Sequence, residues 1–276
     1  MNFVIAGAFS HFSDLSKYIL KNKPQNKYNI VVYDGINLCK WNAGRINRNI
    51  TYEEYQIHFY YSKNIGIALT FSNPVIDLND EVGLQLLEKF HKHGNYIILV
   101  NEKLRKFIRK FYPKYKLIFS ITGLGNVNIP MQKSDLVMYQ MLEEKYDYIV
   151  PRMEHVFDPM FLQLDQSKYE IMLNDTCIKD CPYYSDHFKS IAQANTAYEN
   201  PWEDLPFDIC FGIEECWLDF DPSVNKCGKD GMDITIPQIN ELLQRGIKSF
   251  KIMGRELSNN EFQNEIHKYL GVEYIE

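Results

Sequence analysis

The sequence predicts an α/β protein, a single TIM-like (β/α)8 barrel, on three observations. Short β-branched runs recur eight times, amphipathic helical patterns separate most of them, and polar residues gather beyond the C-terminal end of run after run. Strands alternating with helices build βαβ units and a parallel sheet. Such strands are buried on both faces, so they read as continuous apolar stretches. Eight units in 276 residues suit a closed barrel better than an open sheet.

In chain order, the first strand is expected at 3–6, followed by a helix at 14–20. The second, at 30–33, precedes a helix at 52–61 that Thr51 would cap. Strands at 65–71, 96–100 and 116–120 are followed by helices at 81–91, 103–111 and 134–144. The sixth strand, at 148–150, has only a short helical turn at 159–164 behind it. The seventh, at 169–173, leads to a helix at 183–192, and the eighth, at 250–252, is closed by a helix at 259–270. Residues 195–232, rich in Pro, Asp, Gly and Cys, break the alternation. They are expected to form a cysteine-bearing insertion over the barrel mouth, inside one domain spanning 1–276.

Composition narrows the partners. The chain is 45% hydrophobic with 17 Phe and 19 Tyr, enough for a large core. A net charge of -6 gives no footprint for bulk duplex nucleic acid. The basic stretch 103–116 alternates its charges with Leu, Phe and Ile at helical spacing, the pattern of a solvated helix face. No run approaches the ~18–20 apolar residues of a membrane span, and no basic segment precedes the first apolar run. A cytoplasmic location is therefore expected, with the six cysteines kept as thiols or thiolates.

A barrel enzyme carries its chemistry at the C-terminal rim. Asp34, Ser72, Asn73, Asn101, Glu102, Ser120, Thr122, Arg152, Asn174, Asp175 and Arg255 all fall just past expected strand ends. Each could equally cap a helix or shape a turn. Trp41, Asn42 and Arg45 follow the second strand; they could clamp a planar or anionic ligand, or pack against their own barrel. Asp34 with Glu102, or Asp175 with His187, would supply acid–base chemistry. No phosphate loop, Gly-x-Ser-x-Gly elbow or His-Glu-x-x-His motif occurs.

Cys177 and Cys181 stand at i and i+4 where the seventh helix should start, facing one way, with His187 beyond. Cys210, Cys216 and Cys227 follow. Four converging thiolates hold an iron–sulfur cluster, and four thiolates, or three with His187, hold zinc. Cys227 is the distal candidate, and Cys216 is preferred to Cys210 because Ile209-Cys210-Phe211 reads as apolar packing. Unligated thiols are the remaining reading, and it is the one given to Cys39. A third close cysteine is missing, which disfavours radical SAM chemistry.

Several segments together resemble the collagenase-like peptidase family U32, in a divergent form. They are Tyr33-Asp-Gly35, Trp41-Asn-Ala-Gly-Arg45, Leu69-Thr-Phe-Ser-Asn73, Gly94-Asn95 leading to Val100-Asn-Glu102, 168–174, Cys177-x3-Cys181-Pro, His187, and Gly246-Ile247 leading to Phe250-Lys-Ile-Met-Gly-Arg255. The resemblance implies a barrel fold and, as in several members, a [4Fe-4S] cluster on four cysteines. Those members act in oxygen-independent hydroxylation of ubiquinone precursors or tRNA bases, some as heteromers; others carry a peptidase label. The chain lacks the long C-terminal extension of the peptidase-labelled members, and its late cysteines are irregularly spaced. Three functions follow as expectations: an iron–sulfur enzyme acting on a small molecule or modified base, a metal-independent peptidase-like hydrolase, or a non-catalytic subunit partnering a related protein.

Overall fold

The computed structural model describes residues 1–43, 50–125, 127–175, 177, 179–197, 232–255 and 257–274, and the backbone alone of 220–221 and 226–227. The strands are β1 (Asn2–Ala6), β2 (Asn29–Asp34), β3 (Gly66–Phe71), β4 (Tyr96–Leu99), β5 (Lys116–Phe119), β6 (Tyr148–Ile149), β7 (Glu170–Met172), β8 (Phe220–Asp221), β9 (Lys226–Cys227) and β10 (Ser249–Ile252). All except β8 and β9, a separate antiparallel pair, form one parallel sheet in the order β6-β5-β4-β3-β2-β1-β10-β7. A parallel bridge from Ile149 to Tyr169 joins the two ends of that order, closing the ring. The protein is a (β/α)8 barrel.

Each expected strand is present within a residue or two of its expected bounds. The helices are α1 (Phe12–Asn22), α2 (Glu54–Ser62), α3 (Glu81–Lys89), α4 (Glu102–Phe111), α5 (Lys133–Glu143), α6 (Tyr184–Ala197), α7 (Ile236–Gln244) and α8 (Asn259–Leu270). α4 shows the logic of the outer ring. Asn101 caps it by accepting the Lys103 and Leu104 N–H groups, and Leu104 and Ile108 are buried against the barrel. Arg105 and Arg109 pair with Glu102 and Asp147, and Lys103, Lys106 and Lys110 are exposed, so this basic stretch forms a solvated face.

Two elements depart from expectation. α2 begins after Glu53, not Thr51, because Glu53 and Gln56 form a reciprocal capping box. Between β6 and β7 the expected short turn at 159–164 is present as a 3-10 stretch at 159–163, with two more at 153–155 and 166–168. α7 was not anticipated at all, although Thr235 and Gln238 form its capping box and Pro237 sits in its first turn. α6 runs on to Ala197, so 195–197 belong to a helix; the remaining insertion lies almost wholly outside the described residues.

Strand alternation then sorts the side chains. In β10, Phe250 and Ile252 are fully buried, and Lys251 projects to the opposite face with Met253 beyond it. Register aligns Lys251 with Val4 of β1 and Met172 of β7. A lysine thus stands inside the barrel, where a packed apolar layer is usual.

Candidate functional site

The C-terminal ends of the strands enclose an open basin at the barrel mouth. Tyr33, Thr70, Ile98 and Met172 form its walls from within the strands, and Ser72, Ser120 and Asp175 reach it from just beyond them. Lys251 and Arg255 enter from β10 and its exit, and Tyr184 and Phe188 from the start of α6.

Asp34, at the end of β2, is fully buried and accepts four hydrogen bonds. Its Oδ2 takes the Phe9 N–H at 3.1 Å, the Ser10 N–H at 3.0 Å and the Ser10 hydroxyl at 3.0 Å. Its Oδ1 takes the Gly35 N–H at 3.1 Å and faces Arg255 Nη1 at 3.9 Å. The carboxylate therefore ties the β1–α1 loop to β2 and supplies a counter-charge to Arg255. These bonds make Asp34 a brace between the two segments.

Glu102 does not join it. It is the first residue of α4, partly exposed, with both oxygens 2.7 Å from the Arg105 guanidinium, whose hydrogen bonds hold the carboxyl below its usual range. The expected pairing of Asp34 with Glu102 is thus replaced by two separate ion pairs. Asp175, by contrast, is buried, lines the basin, and accepts the Cys177 N–H at 3.1 Å. His187 is half-buried and stacks on Phe188, with ring centroids 5.7 Å apart. It stands one residue from the basin lining and is not part of it.

Most other rim residues fasten loops. Trp41 is fully buried, donates its indole N–H to the Asp77 carbonyl at 2.7 Å and meets Phe71 edge-on, so it packs the β2–α2 segment against the barrel. Asn42 donates to the Ile36 carbonyl, and Ser72 to the Ala43 carbonyl at 2.9 Å. Asn73 binds Lys40 O and Thr196 Oγ1, joining the β3 exit to α6. Asn101 caps α4 while its amide holds Pro74 O. Asn174 exchanges hydrogen bonds with the Met253 backbone and ties β7 to β10. Arg45 lies outside the described residues.

Arg152 forms a buried pair with Glu154, at 3.1 Å and 2.7 Å, and lies 3.6 Å from the Tyr184 ring centroid. Burial pushes the Glu154 carboxyl up, yet the Arg152 hydrogen bonds and charge bring it below its usual range. Glu154 also accepts the Asp180 N–H, between the two cysteines. Tyr184 is pushed well above a normal phenol by burial, and further by Asp175 and Cys177. Its hydroxyl is buried with no hydrogen-bond partner among the described residues.

Cys177 is buried and Cys181 half-buried. They precede α6: the segment bends at Cys177, turns at 179–180 with Asp180 at φ 59°, and enters the helix at Tyr184. The expected i and i+4 placement on a helix start is corrected to a turn, which the left-handed residue and Pro182 favour over helix. Cys216 and the side chain of Cys227 lie outside the described residues, as does Cys210. Among the described residues no three His, Cys, Asp or Glu side chains converge as a metal would need. The described chain thus offers two thiols of the four a cubane takes. Cys39 lies between β2 and α2 and is fully buried, with its thiol pushed far up by burial.

Tyr33, Lys251 and Tyr184 line the basin and are not among the expected site residues. A lysine in the otherwise apolar run Phe250-Lys-Ile252 was the available signal for one of them.

Fold and basin together define a (β/α)8 barrel with a polar site at its C-terminal mouth. No protein-family profile matches the chain, and no curated protein does. Among solved structures, that of the U32 peptidase Mk0906 is similar, with a TM-score of 0.50 over 92% of this chain and 92% of that chain, at 9% identity. The chain is U32-peptidase-like in fold. No helix among the described residues is long and apolar enough to cross a membrane.

Proposed function

We propose that the chain is a barrel enzyme whose chemistry takes place in the C-terminal basin on a small molecule or modified base. In this reading it is assisted by a [4Fe-4S] cluster on Cys177, Cys181, Cys216 and Cys227, in an oxygen-independent modification of the hydroxylation type. One observation carries the reading. The two described thiols leave the barrel directly behind Asp175, a wall of the basin, and Asp175 holds the Cys177 N–H. A cluster there would supply one-electron transfer next to the bound substrate. Asp175 fixes the start of the cysteine turn, and Glu154 fixes its middle through Asp180. Arg152 supports both by holding Glu154 and covering Tyr184. Lys251 and Arg255 face the ligand.

Anaerobic purification and reconstitution with iron and sulfide test this reading. A brown protein with broad visible absorption supports it; a protein that stays colourless and iron-free overturns it. The peptidase label of the structural neighbour motivates a second reading, metal-independent hydrolysis with Asp175 as the base. Peptide cleavage that survives chelation and is lost in Asp175→Asn would favour that reading, with zinc excluded by the same chelation. Turnover of neither kind, with stable capture of a related barrel chain, would make the protein a binding subunit.

A further inference from the structure

The basin's charges indicate which part of a ligand it holds, an inference that rests on the basin being the functional site. Lys251 and Arg255 both line it, and both lie against Tyr33. The ammonium is 4.5 Å and the guanidinium carbon 5.8 Å from the ring centroid. Lys251 is only 8% exposed and the Arg255 side chain 15%, so two cations share one aromatic wall largely out of water. Such burial is costly unless negative charge answers it.

Two carboxylates stand near these cations. Asp34 is occupied by four donors, and its 3.9 Å approach to Arg255 is beyond hydrogen-bond reach. Glu170 lies below Lys251 in the barrel, wholly buried. Burial pushes its carboxyl up against the opposing pull of Lys251 and of the Ser249 hydroxyl, which favours its neutral form. Asp175 holds the Cys177 N–H and feels the Arg152 charge.

One further feature marks the place as one built to be filled. The buried Tyr184 hydroxyl lines the same basin with no hydrogen-bond partner among the described residues. A buried hydroxyl left unmatched is expected to find an acceptor in the complex.

We propose that the basin binds an oxyanion group of its small-molecule ligand, a carboxylate or a phosphate, with Lys251 and Arg255 as counter-charges and the Tyr184 hydroxyl as a further donor. Arg255 presents a planar fork and Lys251 a point charge, a combination that accepts either group.

Titration calorimetry on the full chain, with inorganic phosphate and separately with succinate, tests this and separates the two sources. Saturable binding of one or both is expected, weakened at least tenfold in Lys251→Met and in Arg255→Gln and largely kept in Lys251→Arg. Far-UV circular dichroism verifies that each variant is folded. If Lys251→Met does not fold, Arg255→Gln and the fall of wild-type affinity with salt carry the test. No saturable binding of either anion by the wild type, or unchanged affinity in the folded charge-removing variants, overturns the proposal. Iron is measured on the same samples. Anion binding by an iron-free protein upholds this site while removing the cluster, and a cluster-bearing protein that binds neither anion does the reverse.

Discussion

Replacing Asp34 by Asn separates a brace from a catalyst. The amide is nearly isosteric but retains one acceptor oxygen. Placed at the Oδ2 position, that oxygen keeps the Phe9 and Ser10 donors, and the new NH2 then points at the Gly35 N–H and toward Arg255. One buried N–H loses its acceptor, at about 1–3 kcal/mol. Arg255, largely buried, also loses a counter-charge 3.9 Å away, which adds on the order of 1 kcal/mol across a partly solvated gap. A total of about 2–4 kcal/mol lowers the unfolding midpoint by roughly 5–15 °C for a domain of this size. Differential scanning calorimetry of wild type and Asp34→Asn reads it directly. A midpoint unchanged within 1 °C or so, together with lost activity, would refute the bracing argument and return Asp34 to the role of base.

Three further outcomes follow from the buried groups. Glu154 is held below its ordinary range in the folded protein, so its stabilisation is present above the unfolded carboxylate value, about 4.3, and fades as pH falls through the lowered folded value. Urea midpoints of Glu154→Gln should therefore lie below wild type at pH 7 and converge on it at pH 3; a gap of equal size at both would argue against the ion pair as the cause. Glu170 is raised, so the sign reverses: its penalty is absent at acid pH and grows as pH rises from about 4 toward the folded value. Glu170→Gln should gain on wild type between pH 4 and pH 8, and a loss that deepens with pH would contradict this. Tyr184→Phe removes a hydroxyl with no partner among the described residues, so the thermal midpoint should hold or rise, within about 0.5 kcal/mol. A fall of several degrees would reveal a partner for that hydroxyl.

The barrel was legible because its strands are short, apolar and regularly spaced, and because a strand buried on both faces has little freedom in composition. α7 was passed over in the shadow of the cysteine-rich segment before it, although Thr235-Ile-Pro-Gln238 carries both a capping box and an early proline. The rim residues sit at strand ends, and most of their bonds go to backbone groups. Asn73, Asn101 and Asn174 sit at strand ends because backbone groups emerging from a barrel need partners, and an amide supplies a donor and an acceptor at once. Nothing in sequence distinguishes that duty from ligand binding. Trp41 illustrates the same limit: its aromatic surface fills the space above Gly83, where a Cβ would come within 2.4 Å of the indole. Lys251 was the reverse case, a charge inside a strand whose alternation points it inward.

The central claim, a cluster held beside the basin by the turn after β7, is tested most directly by iron and acid-labile sulfide per chain after anaerobic reconstitution. The measurement compares wild type, Cys177→Ser/Cys181→Ser and, as a control, Cys39→Ser. Cys39 is fully buried between β2 and α2 with its thiol strongly pushed up, so its replacement should leave the content untouched. About four iron and four sulfide are expected in wild type and in Cys39→Ser, with the content lost from the double variant. Equal iron and sulfide in all three proteins, or none in any, would contradict the account.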